Sequence, residues 1–267
     1  MTAIQPCALL LLVGSDWRIE AVSANVAMLG DHKPATVVGQ PLADLIGSKA
    51  IHSLRNRMSW LSSDESEVQE FGTQWGEVTL DVRATRHVDF YLVEAELVVE
   101  PRLPDSIGMV RSMSDRLSGD DPILLANQAM QQLAAISGFE RVILCDRDGR
   151  QVAANKNAAN GAPFGAVEMT RLIADRDAEP VPLLGDEGNG LLARAAYLVP
   201  DKDRCEQLEA AGVAAALSLP LRIDGELVGA VHGHHSSPRR IGAERRSVAH
   251  LFAERLVARM ARQGWKP

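Results

Sequence analysis

The sequence predicts an α+β protein of two domains, each a central antiparallel sheet with flanking helices, divided at residues 1–105 and 106–267. Three observations carry this. The chain has 267 residues, more than most single α+β domains use and enough for two of ~100–150 residues. Apolar residues make up 46% and charged residues 24%, sufficient for two ordinary cores. Alternating apolar and polar runs bounded by turn residues recur in both halves, and stretches of helical periodicity separate them.

In chain order, residues 7–13 and 18–23 predict two strands around the turn Gly14-Ser15-Asp16. SANVAMLG reads as a short helix stopped by Gly30. In PLADLIGSKAIHSLRNRMSWL, residues Leu42, Leu45, Ile46, Ile51, Leu54, Met58 and Leu61 recur at helical spacing. Ser62 to Glu70 is polar and acidic and reads as a solvated loop. EVTLDVRATRH alternates at Val78, Leu80 and Val82, turns at Val88-Asp89, and continues as FYLVEAELVVEP. Such alternation belongs to a sheet covered on one side, and the first half reads as a five- or six-stranded arrangement. The prolines of PRLPDS close it near residue 105.

Residues 106–118 and 122–137 predict helices, the second opened by Asp121-Pro122 and closed by Gly138. FERVILCDRDGRQVAAN predicts a hairpin turning at Asp148-Gly149, and AALSLPLRIDGELVGAVHGHH another turning at Asp224-Gly225. Between them EMTRLIADRD and EPVPLLGDEGNG read as irregular. The end, GAERRSVAHLFAERLVARMARQ, is one amphipathic helix with the apolar stripe Val248, Leu251, Phe252, Leu256, Val257 and Met260.

Composition narrows the function classes. The net charge is −7 and the pI near 5.5, with no basic run to grip phosphates, so nucleic-acid binding is not expected. The cysteines Cys7, Cys145 and Cys205 lie far apart with no CxxC, which suits a reducing, cytoplasmic compartment. CALLLLV is too short for a signal peptide or a membrane span, so no membrane association is expected. Phosphate loops, GxSxG and HExxH are missing, and no enzyme activity is expected.

Three histidines crowd into VHGHHSSPRR. On a strand, His232 and His234 share one face and His235 takes the other. Two readings stand: a lining for an enclosed ligand, or a partly solvated strand end tied to backbone carbonyls. A metal centre needs three or four converging ligands, and His-x-His supplies two, so no metal is expected.

Several fragments, collinear over nearly the whole chain, resemble the photosensory core of bacterial phytochromes. IQPCALLLLV, VSANVAMLG and LDVRATRHVDFYLVEAELVVEP resemble that family's PAS domain. SGFERVILCDRDGRQVAA, RLIADRDAEPVPL and LEAAGVAAALSLPLRIDGELVGAVHGHHSSPRR resemble its GAF domain. The resemblance implies PAS-like then GAF-like domains, a linear tetrapyrrole such as biliverdin or another bilin in the GAF domain, and an N-terminal segment threaded through a GAF loop.

It also assigns candidate residues. His234 matches the histidine near the outer pyrrole ring, with His232 beside it on the same face. Ser218 matches one of a pair of propionate-binding serines, and Ala216 stands where the other would be; the alternative for Ser218 is a polar strand residue facing solvent. Arg194, in LLARAAY, is a candidate to replace a propionate-binding arginine. Cys205 lies near the attachment point of plant and cyanobacterial relatives, with Lys202 and Arg204 expected to lower its pKa; the alternative is a helix cysteine with no role. Cys7 and Cys145 read as structural.

Departures from the family are equally plain. No cysteine stands among Met1, Thr2 and Ala3, ahead of IQP, and Cys7 occupies the family's histidine position. AANGAPFGAVEMT lacks the aspartate-isoleucine-proline core, VPDKDRCEQLEAAGV lacks the pocket histidine, and no PHY or output domain is expected after residue 267. The expected function is a non-catalytic sensory or regulatory module that binds a bilin, dimerises through the C-terminal helix and signals through a separate partner protein. The alternatives are a chromophore-less protein acting by protein contacts and, lesser, an enzyme acting on a tetrapyrrole or small ligand through His232, His234 or Cys205.

Overall fold

The computed structural model describes residues 3–61, 67–155, 167, 169–185 and 191–266. In chain order the elements are β1 (Ala3–Ile4), β2 (Ala8–Gly14), β3 (Ile19–Ser23), α1 (Pro34–Val37), α2 (Leu42–Ile46), α3 (Ser48–Met58), β4 (Glu67–Trp75), β5 (Val78–His87) and β6 (Phe90–Leu97). There follow α4 (Ser106–Asp115), α5 (Pro122–Ser137), β7 (Arg141–Asp146), β8 (Gln151–Ala154), β9 (Arg171–Ile173), β10 (Val181–Gly185), α6 (Lys202–Ala210), β11 (Ala215–Ile223), β12 (Glu226–His235) and α7 (Ala243–Arg262).

Two compact units result. The first comprises Met1–Val99 with Ala178–Val199, the second Glu100–Asp177 with Pro200–Pro267. Residues 178–199 fold with the first unit. The reason is hydrogen bonding: β10 pairs antiparallel with both β1 and β3, which leaves neither edge open. A Cβ on Gly185 would lie 2.1 Å from the Glu20 carbonyl oxygen, so this approach of β10 to β3 requires glycine.

The first unit holds a seven-stranded sheet ordered β1-β10-β3-β2-β6-β5-β4, wider than the five or six strands expected. Every residue of β2, ALLLLVG, is buried, because the sheet is covered on both faces. Leu9, Leu11, Val13, Val93 and Ala95 pack with Leu42, Ile51 and Leu54 of the helices. Leu10, Leu12 and Leu92 pack on the other side with Ile4, Leu183, Leu192 and Ala195.

The helical stretch from Leu42 is two helices, broken at Gly47, whose φ of +85° suits glycine. The short helix expected in SANVAMLG is a 3-10 helix over Ala24–Leu29, ending at Gly30. One local expectation needs correction. Residues 67–70 belong to the edge strand β4 instead of a loop; residues 62–66 of that expected loop lie outside the described residues.

The second unit carries a five-stranded antiparallel sheet, β8-β7-β12-β11-β9. Helices α5 and α7 pack together, and contact β7, β8 and β11. Helix α5 starts and stops as its sequence dictates. Asp121 Oδ1 accepts from the Ile123 and Leu124 amides, Pro122 fills the first position, and Gly138 ends the helix at φ +69°. The Asp224-Gly225 turn has both φ values positive, 52° and 85°, which fits a two-residue hairpin loop. RLI and VPLLG, expected to be irregular, are β9 and β10. In α7 the expected stripe is buried except Leu251, which is 46% exposed.

Candidate functional site

Strand alternation and register assemble the site. Strand β12 is the centre of the second sheet, so His232 and His234 are flanked on both sides. His232 lies opposite Ser218 of β11 and Ile143 of β7, and His234 lies opposite Ala216 and Arg141. Ser218 in turn faces Arg171 of β9, and Ala216 faces Ile173. Residues directly opposite share a face. One face of the sheet therefore presents two imidazoles, a hydroxyl and two arginines above a floor of small residues, with Ala216, Ala230 and Cys145 all buried.

Both histidines are 1% exposed and Ser218 is 5% exposed, so neither the solvated strand end nor the solvent-facing serine describes this chain. Ser218 Oγ lies 2.9 Å from His232 Nδ1. The two imidazole rings are stacked, 25° apart in plane, with centroids separated by 6.5 Å. Burial pulls the His232 pKa down to about 4, with the Arg204 charge adding to the effect. Burial likewise pulls His234 down to about 3, assisted by the charges of His232, Arg141 and Arg204. Both rings are thus neutral at neutral pH, each able to give or take a single hydrogen bond per nitrogen. His235 faces the other way, with Nδ1 2.9 Å from the Ser237 carbonyl oxygen.

Helix α6 borders the same face. Leu208 packs with Ile173, Val213 and Ala216, and Asp201 caps the helix by accepting from the Arg204 amide at 2.8 Å. Arg204 is the sequence reading's main omission: it was expected to act on Cys205, yet its charge is felt by both histidines, and burial lowers its own pKa to about 10. Arg171 was also missed, since only the β9–β11 register reveals that it neighbours Ser218.

The remaining candidates are placed differently. Arg194 ends a 3-10 turn, Leu191–Arg194, in the first unit. Cys205 sits half-buried in α6 with Sγ 3.7 Å from the Pro200 carbonyl oxygen. Burial raises its pKa and Arg176 opposes the rise without reversing it, which corrects the expected activation. Lys202 instead pairs with Glu206 at 3.7 Å. Cys145 does lie on the histidine face, and burial together with Asp146 pushes its pKa up to about 11. Cys7 is half-buried, one residue ahead of β2. Among the described residues, no group of three or more His, Cys, Asp or Glu could hold a metal ion. Of AANGAPFGAVEMT, the stretch without the aspartate-isoleucine-proline core, residues 158–166 and 168 lie outside the described residues. None of the described helices is long and apolar enough to cross a membrane.

Comparison with known proteins agrees with this architecture. Residues 1–98 match the PAS fold model and residues 121–260 match the GAF domain model. Among solved structures, the chromophore-binding domain of an unusual bacteriophytochrome from R. palustris is 23% identical with a TM-score of 0.76, over 98% of this chain and 95% of that one. The photosensory core module of the Stigmatella aurantiaca phytochrome is 20% identical with a TM-score of 0.78, over 98% of this chain and 58% of that one. The chain therefore spans little more than half of that longer module. No curated protein matches. The chain belongs to the GAF domain family, follows a PAS fold in its first unit, and is a phytochrome-like PAS–GAF core.

Proposed function

We propose that the chain is a non-catalytic sensory module that binds a bilin, or another flat carboxylated ligand, against the histidine face of its second unit. One observation carries the reading: two desolvated, neutral imidazoles and a hydroxyl stand on a sheet face floored by small side chains. Pyrrole and lactam groups need single, oriented hydrogen bonds, which neutral imidazole and serine provide. Arg171 and Arg204 are suited to pair ligand carboxylates, because guanidinium binds them bidentately. When bound, a bilin would supply the light-absorbing conjugated system; His232, His234 and Ser218 would orient it and keep it from water.

Binding in this reading is non-covalent, since burial raises both Cys145 and Cys205 and disfavours their thiolates. Homodimerisation involves α7, whose Leu251 is exposed, and signalling passes to a partner protein. The rival, a chromophore-less protein, draws on the sequence departures at Cys7 and in AANGAPFGAVEMT. One experiment separates them. The purified chain is mixed with biliverdin and passed through gel filtration. Co-elution of pigment near one equivalent, reduced at least about tenfold in affinity by His234→Ala, supports the module; elution of colourless protein supports the rival.

A further inference from the structure

Residues 191–199 cross the outer face of the first sheet without forming a regular strand there. Leu192 and Ala195 cover Ile4, Leu10, Leu12, Ala21 and Leu92. The N-terminal segment lies alongside: the Gln5 amide donates to the Tyr197 carbonyl at 2.9 Å, and the Val199 amide to the Ala3 carbonyl at 3.2 Å. A tie to the centre of the sheet comes from Glu94 on β6, a carboxylate only 1% exposed. Its Oε1 accepts the Ala196 amide at 2.6 Å. Its Oε2 pairs with Arg83 Nη1, and Arg83 Nε donates onward to Glu67 Oε2 of the edge strand at 2.7 Å. The two flanking carboxylates raise the Arg83 pKa despite its burial.

A carboxylate in apolar surroundings is costly unless it is neutralised and hydrogen-bonded. Arg83 neutralises Glu94 whether or not residues 191–199 are in place, because it lies directly across the β5–β6 ladder. The Ala196 bond is different: it exists only with the segment docked. Glu94 is thus pre-set to receive a main-chain amide, and the bond to a charged acceptor is among the stronger single hydrogen bonds.

We propose that Glu94 is a latch: it holds residues 191–199 as a strap over the outer face of the first sheet. The strap opens as a unit of its own, uncovering Ile4, Leu10, Leu12 and Leu92 while the sheet stays folded. This rests on the first unit alone and does not depend on a ligand at the histidine face. Hydrogen exchange by mass spectrometry on the full chain tests it. In Glu94→Leu, amides 195–199 should exchange at least about tenfold faster, with β2 and β6 unchanged. Glu94→Gln keeps an acceptor oxygen without its charge and should accelerate the same amides less than Glu94→Leu does. Unchanged strap exchange in Glu94→Leu, or equal acceleration of strap and sheet, would overturn the proposal. Should Glu94→Leu fail to fold, the unsubstituted chain in low denaturant decides. Strap amides with a weaker denaturant dependence than β2 and β6 uphold the latch, and a shared dependence overturns it.

Discussion

Ser218 Oγ and His232 Nδ1 lie 2.9 Å apart across the β11–β12 ladder, both buried. The hydroxyl orients the ring. Substituting Ser218→Ala withdraws the hydroxyl from a desolvated imidazole. The expected cost is about 1–3 kcal/mol of second-unit stability, read by denaturant titration with a probe in that unit. Unchanged stability would mean that the bond contributes nothing.

Acid should destabilise the second unit before the carboxylates titrate. Folding lowers the pKa of His232 from 6.5 to about 4 and of His234 to about 3. The unfolded chain then binds more protons than the folded one as pH falls below 6.5, so stability is full above that value and is lost progressively toward pH 4. The sign follows from a base that is harder to protonate when folded. Denaturation midpoints measured from about pH 7 to about pH 4.5 should fall, and His234→Leu should flatten the slope. A slope equal in both proteins would exclude His234 as its source.

Val88 occupies the two-residue β5–β6 turn at φ +44° while 62% exposed. A β-branched residue is disfavoured in that region, and asparagine tolerates it. Val88→Asn should stabilise the first unit by about 1 kcal/mol, a rise of roughly 2–4 °C in Tm, measured by calorimetry.

Thiol chemistry should be slow. With its pKa near 11, Cys145 is thiolate in only about one molecule per thousand at pH 8. Disulfide-exchange reagents should therefore label Cys7 well before Cys145, with peptide mapping as the readout. Acid denaturation of a pigment complex should free all the bilin; retained colour on the polypeptide would contradict this.

Much of this fold was legible where a local device fixes it. Asp121-Pro122 and Gly138 bracket α5, and Asp224-Gly225 turns β11 into β12, because capping and left-handed turns depend on a few adjacent residues. Strand β4 was not, since an edge strand half open to water carries no apolar alternation. VPLLG was unreadable for another reason: the residues that make it a strand, Ala3 and Ile4 on one side and Ala21 to Ser23 on the other, are far away in sequence. At the site, period-two alternation put His232 and His234 on one face. It could not reveal Arg171, which depends on register, or Arg204, which depends on how α6 packs.

The most direct test is nuclear magnetic resonance of the full chain labelled at histidine ring nitrogens, titrated with biliverdin. The account predicts saturable shifts of His232 and His234, with His32 and His52 of the first unit unmoved. Ring signals of His232 and His234 that stay fixed while pigment is in excess would contradict it.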